Sequence, residues 1–168
     1  MFRQGHYGVS LIVFAPVGFA LIHLGRPDLA FVVGVVMLWL AMLPDVDHRI
    51  PGIPHRGPTH SLAFAGLVGG VFALVGQGLV LAGVDDIGLA AIADGSVVVF
   101  GFLVGFLTVF AHLLGDALTP AGVNFLWPLS GYEYTISAWR ADNKLANYGL
   151  FGVGIFAVAA ALYLAVTL

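Results

Sequence analysis

Apolar positions run along this chain in five nearly unbroken stretches, each closed by a cluster of glycine, proline or charged residues. Read as helices, they are Tyr7 to Leu24, Leu29 to Leu43, Ser61 to Val84, Ser96 to Leu118 and Asn147 to Leu168. A helix apolar on every face and close to 20 residues long is one that crosses a bilayer. The second stretch is short. It would rise only ~22 Å against a hydrocarbon core of ~30 Å, so one of its ends should be drawn into the membrane. Gly25, Pro27 and Asp28 turn the chain after the first stretch, and Pro44 ends the second. Pro51, Gly52, Pro54, Gly57 and Pro58 keep the next connection non-helical, and Thr59 or Ser61 is placed to cap the third helix. Asp85, Asp86 and Asp94 bracket the loop before the fourth. The spaced pairs Gly66/Gly70 and Gly101/Gly105 predict close helix contact in lipid.

Composition agrees with that pattern. Hydrophobic residues make up 60% of the 168 and charged residues 9%, and the mean hydropathy is +1.02. The chain has room for these spans and short connections, with no tract for a separate soluble unit, so the predicted fold is an all-α, polytopic membrane helical bundle forming a single domain over 1–168. Arg3 before the first apolar stretch resembles the start of a signal peptide. No A-x-A-like site follows before Arg26, so the stretch is read as a retained span. A formal charge of −3 and the lack of a long basic run argue against nucleic acid. With no cysteine, disulfides and thiolate metal sites are excluded, and any metal must sit on His and carboxylate.

Threading the five spans puts five of the six histidines, and Asp45, Asp47 and Asp116, at one face of the membrane. Arg3, Arg49, Arg56, Arg140 and Lys144 share that face, and Arg26 stands opposite. The asymmetry predicts a cell-membrane protein with the cluster and the N-terminus cytoplasmic and the C-terminus external.

The spacings within the cluster carry chemistry. His112 and Asp116 in "HLLGD" are i and i+4, on one helix face a turn apart, where an imidazole and a carboxylate can bind one cation. In "PDVDH", Asp45 and Asp47 alternate, so an extended segment would aim both carboxylates the same way. His48 beside them is a ligand, a partner of a ligand or an exposed loop residue. In "HRGPTH", His55 and His60 bracket a Gly-Pro turn leading into a helix N-terminus. Arg56 there could grip a phosphate or carboxylate with two hydrogen bonds. His6, before the first span, would be a distant ligand, whereas His23 lies at the far end of that helix. Eight groups exceed one tetrahedral zinc, so two or three divalent ions, most simply zinc, are expected, a set suited to hydrolysis of a phosphoester. Glu133 is the one glutamate in the chain. The aromatics Trp127, Tyr132, Tyr134 and Trp139 around it fit the lipid headgroup level.

The motifs "LPDVDH", "HRGPTHS" and "HLLGDALTPAGVNFLWPLS", with the early His6, resemble the YdjM-type family of membrane-bound metal-dependent hydrolases, also called the domain of unknown function 457 family. The resemblance covers nearly the whole chain. More remotely, the pattern is similar to the zinc-dependent phospholipase C and P1 nuclease group. It implies His6, Asp45, Asp47, His48, His55, His60, His112 and Asp116 as metal ligands, with Asp47 and Arg56 closest to the chemistry. Membrane lipid is the expected neighbour, and a small molecule or a lipid the expected substrate. A cation transporter and a metal-binding scaffold are the competing classes, since intramembrane Asp and His also line ion paths.

Overall fold

A single segment crossing lipid must pair its backbone groups internally, and only a helix does so. The computed structural model, which describes residues 1–52, 55–84 and 97–168, accordingly has five long apolar helices. They are α1 (Arg3–His23), α2 (Pro27–Trp39), α3 (Leu62–Leu81), α4 (Val97–Ala117) and α5 (Lys144–Thr167). Two short 3-10 helices, Pro44–Arg49 and Pro58–His60, link α2 to α3. The fold is all-helical, as the hydropathy pattern predicts, and five segments have the length and apolarity to cross a membrane. Large apolar side chains such as Phe31, Leu74 and Phe156 face outward, as lipid as solvent allows. The acidic loop around Asp85, Asp86 and Asp94, with Ser96 and Pro54, lies outside the described residues.

The helices associate as two close pairs, α1 with α5 and α3 with α4, and α2 lies against α1 and α4. Leu21, Ala30, Val33, Met37, Val104 and Ala111 form one buried cluster; Ala65, Val68, Val109, Leu113 and Val123 form another. Within α3 and α4 the backbones approach so closely that a Cβ on Gly101 would lie 2.5 Å from the Phe72 carbonyl oxygen, and one on Gly105 would lie 2.8 Å from that of Val68. The expected contact at Gly101 and Gly105 is therefore present. Its counterpart on α3 is not Gly66/Gly70, which meet nothing within 4 Å, but Gly69 and Gly76. The α3 face toward α4 is thus turned by about one residue, which is about 100° on a helix.

Helix ends follow local chemistry. The Gly25 N–H bonds to Ile22 and that of Arg26 to Leu21, the double closure typical of a glycine in the left-handed region, here at φ 76. Pro27 then opens α2 at a position where no N–H is needed. Ser61 caps α3 by accepting the Phe64 N–H at 3.1 Å. The clearest departure is the end of α2, at Trp39 rather than Leu43. Pro44 lacks the N–H that would continue the ladder to the Leu40 carbonyl. The chain leaves the helix a turn early and re-enters as the 3-10 segment. At 13 residues α2 rises only about 20 Å, and the apolar span is completed by the turn, running Pro27–Arg49 as a whole.

At the same end of the bundle the segment after α4 folds back on itself. The N–H groups of Ile136 and Ala138 reach the carbonyls of Ala117 and Leu118, and Val123 pairs with Tyr134 in an isolated bridge. Trp127, Tyr132 and Tyr134 stay exposed. Buried Asn147 accepts the Phe2 N–H at 2.9 Å, tying the start of α5 to the start of α1.

The glycine contacts give a test. Gly101→Val should cost about 1–3 kcal/mol by overpacking and lower the melting temperature in detergent, while Gly70→Val should leave it unchanged. Equal effects from the two would contradict the α3–α4 register.

Candidate metal centre

Three elements bring four donors together. The last turns of α4 supply His112 and Asp116 on one face, the 3-10 turn before α3 turns His60 inward, and the 3-10 turn after α2 supplies Asp45. His60 and His112 are fully buried and Asp116 nearly so. Each imidazole is fixed from behind. His112 Nδ1 lies 2.8 Å from the Ala41 carbonyl, which can only accept, so the ring proton is on Nδ1 and the Nε2 lone pair points inward. The Ala41 carbonyl is available because α2 has already ended. Thr59 Oγ1 donates to Asp47 Oδ2 at 3.0 Å and sits 3.0 Å from His60 Nδ1. The Thr59 proton being committed, its oxygen accepts from His60 Nδ1–H, and His60 Nε2 also points inward.

The two Nε2 atoms face each other at 3.3 Å. Asp45 Oδ1 lies 3.3 Å from that of His60 and 3.5 Å from that of His112, and Asp116 Oδ2 lies 3.4 Å from both. Asp116 Oδ2 is buried yet makes no hydrogen bond, so these atoms converge on a common point rather than on one another. Bonds of about 2.0–2.1 Å to zinc in a regular tetrahedron place donors about 3.3–3.4 Å apart. The five measured separations match that spacing, and His, His, Asp, Asp is a donor set zinc accepts. The cluster could therefore hold a metal ion.

Asp116 Oδ1 faces away and is satisfied separately. Arg56 Nη2 donates to it at 2.9 Å, and the Met1 amino group lies 3.3 Å away. Arg56 Nη1 donates to the Gly122 carbonyl at 2.6 Å, and the Arg56 backbone N–H to Asp47 Oδ2 at 3.1 Å. Arg56 does this from the left-handed region, at φ 60, which costs an L-residue about 1–2 kcal/mol. Its guanidinium is thus directed at Asp116 and Gly122. Burial works against protonating His60, but the carboxylates of Asp116 and Asp45 outweigh it, and its pKa is raised above the ordinary 6.5. Proton and metal compete for that ring.

A second group adjoins the first. Donor atoms of Asp45, Asp47, His48 and His55 all lie within 4.8 Å of one another. His55 Nδ1 is 3.2 Å from Asp47 Oδ1, and the His48 and His55 rings stack at 3.8 Å. Asp45 belongs to both groups. The segment carrying Asp45 and Asp47 is 3-10 rather than extended, yet the two carboxylates still come close enough to share a group. His6 stacks parallel on His112 at 3.8 Å and joins neither donor group. Its Nε2 is 3.7 Å from Asp116 Oδ1, and its buried Nδ1 makes no hydrogen bond. Glu133 is exposed on the loop, and His23 stacks on Phe19 at the far end of α1.

Sequence spacing did not single out Thr59 or the carbonyls of Ala41 and Gly122. Thr59 had a signal, its place next to His60 in "GPTHS". The carbonyls had none, since main-chain acceptors carry no sequence mark.

The family model described as YdjM inner membrane protein matches residues 1–168. The chain belongs to this family and is a multi-pass protein of the inner membrane. No curated protein and no solved structure matches it.

Two outcomes test the centre. Full-length protein purified without chelator should carry zinc by elemental analysis, and His112→Ala or Asp116→Asn should lower its content at least about tenfold, with His23→Ala as an unaffected control. Because ligand rings must be neutral, retained metal should fall as the medium is acidified. Unchanged content in both ligand variants would remove these residues from the centre.

Proposed function

We propose that this inner membrane protein of the YdjM family is a metal-dependent hydrolase acting on a phosphoester at the cytoplasmic membrane face. The observation that carries the reading is the set of four inward-pointing donors of His60, His112, Asp45 and Asp116, at separations of 3.3–3.5 Å. In this reading His60, His112, Asp45 and Asp116 would hold one divalent ion, zinc by donor type, and Asp45, Asp47, His48 and His55 would hold a second. Such ions supply Lewis acidity and make water nucleophilic near neutral pH, the chemistry of phosphoester cleavage.

The chain's own residues have separable parts. Asp47 holds Thr59 and, with it, the tautomer of His60; carboxylates that orient a ligating histidine in this way raise its basicity. Arg56 balances the outer oxygen of Asp116 and leaves the inner one free. His6 forms the wall behind His112. The remote likeness to zinc-dependent phospholipases C and P1 nuclease belongs to this proposal too, as a precedent for multi-zinc sites on helices. A transport path would need ionisable partners deeper in the bundle. Among the described residues the charged groups and histidines of the helices lie toward the helix ends.

Orientation is part of the reading. Arg3, Arg49, Arg56, Arg140 and Lys144 share the cluster's end of the bundle and Arg26 lies at the other, which favours a cytoplasmic cluster, a cytoplasmic N-terminus and an external C-terminus.

Asp45→Asn should abolish chelator-sensitive hydrolysis across a panel of phosphomonoesters and phosphodiesters, while the protein stays embedded and folded. Asp47→Asn should reduce it about 10–100-fold. A zinc-loaded preparation that cleaves nothing in the panel, nor carboxylic esters or amides, would leave a scaffold or transporter as the better account. A reporter active only outside the inner membrane should work when fused at the C-terminus and stay silent when fused near Arg49; the reverse pattern would invert the orientation.

A further inference from the structure

The four donors are unequally enclosed. His60, His112 and Asp116 are at most 1% exposed, whereas Asp45 keeps 20%. Asp45 lines a cavity of about 590 Å³ between the start of α1 and the turn after α2, with walls that include Arg3, Trp39, Leu43, His48 and Arg49. This volume falls within the ~300–1,000 Å³ usual for ligand sites.

We propose that this cavity is the headgroup subsite for a lipid carrying an anionic phosphate, which enters from the surrounding leaflet and is held by Arg3 and Arg49 beside Asp45. The inference rests on the hydrolase reading and names its substrate class. Both arginines are exposed. Arg3 donates one hydrogen bond to the Tyr7 hydroxyl at 3.1 Å, and guanidinium groups match phosphate oxygens in geometry and charge. Trp39 is 81% exposed at the end of α2, where an indole suits the headgroup level of a bilayer. Because α2 has only 13 residues, the turn that carries these walls completes an apolar span. The cavity mouth therefore adjoins lipid as well as water. Leu40 and Leu43 add an apolar wall that an acyl chain can use and a soluble phosphate cannot. This combination selects an amphiphile over a free anion.

The test is lipid retention by the purified full-length chain in detergent, read by native mass spectrometry after incubation with phosphatidic acid or with zwitterionic phosphatidylcholine. It is run on chelated and on zinc-supplemented protein. Wild type should retain phosphatidic acid over phosphatidylcholine by at least about tenfold, because the first brings net negative charge and no quaternary ammonium to repel Arg3 and Arg49. The double variant Arg3→Gln/Arg49→Gln should lose that preference, and Lys144→Gln, a cation elsewhere at the same end of the bundle, should keep it. Met42→Trp, which fills the cavity without changing charge, should lower retention while zinc content stays unchanged. A preference that survives the double variant, or falls equally with Lys144→Gln, would overturn the subsite. So would complete displacement of lipid by millimolar inorganic phosphate, which would mark a site for a soluble anion. Lipid retention requires no turnover, so the two readings fail separately. Chelator-sensitive hydrolysis without lipid preference removes the subsite alone, and lipid preference without any hydrolysis removes the hydrolase alone.

Discussion

Four donor atoms meeting in a buried place, with five of their separations at 3.3–3.5 Å, repel one another, and much of the structure around them keeps them there. Three of the four donors are gripped on the far side: His112 by the Ala41 carbonyl, His60 by Thr59 and through it Asp47, and Asp116 by Arg56. With the backs of those three satisfied, the inward atoms are left to face one another, and a cation or protons would relieve them. Three carboxylates, Asp45, Asp47 and Asp116, stand against Arg56 and the nearby amino group of Met1. The local balance favours a positive ion. Removing one partner of such a buried set leaves an uncompensated charge, which costs about 3–5 kcal/mol.

Bilayer geometry explains why this happens at one end of the bundle. A regular helix through Leu43 would have aimed the Ala41 carbonyl along its own axis and held Asp45 near the helix rim. Ending at Trp39 releases that carbonyl to His112 and lets a 3-10 turn carry Asp45 toward the α4 face. The close α3–α4 approach at Gly101 and Gly105 then sets the separation at which His60, just before α3, meets His112 near the end of α4. One helix stops short and two pack unusually close; both features converge on the same four atoms.

The fold was largely legible in the sequence because its signal is strong. Apolar runs of bilayer length, punctuated by Gly25, Pro27 and Pro44, specify helices whatever their neighbours do. The convergence of His60, His112, Asp45 and Asp116 was also legible, from the one-sided threading of the spans and the i, i+4 pair in α4. Legibility failed where tertiary contact decides. The α3 interface uses Gly69 and Gly76 because helix rotation is set by Phe102 and the α4 backbone, which no spacing rule reports. Arg56 reads as an outward anion clamp, but its left-handed backbone swings the guanidinium to Asp116 and Gly122. His6 reads as a ligand, yet the close packing that brings its ring flat onto His112 leaves it outside the donor groups.

The cluster is not what holds the helices together. The buried apolar groups around Met37 and Val104, and around Val68 and Val109, lie deeper in the bundle, and the glycine contacts run along α3–α4 and, through Gly8 and Gly154, along α1–α5. Well-packed hydrophobic residues in place of a buried ionic cluster are commonly neutral or stabilising, so stability alone gives no reason for five imidazoles and three carboxylates at this end. The orientation of the groups is also wrong for simple mutual pairing. Asp116 Oδ2 lies 3.4 Å from both inward nitrogens, shared equally between them, although a small rotation toward either would suit a pair that served only packing. Atoms arranged around a shared point, with one member partly open to a cavity bearing two arginines, could hold an ion that packing alone does not call for.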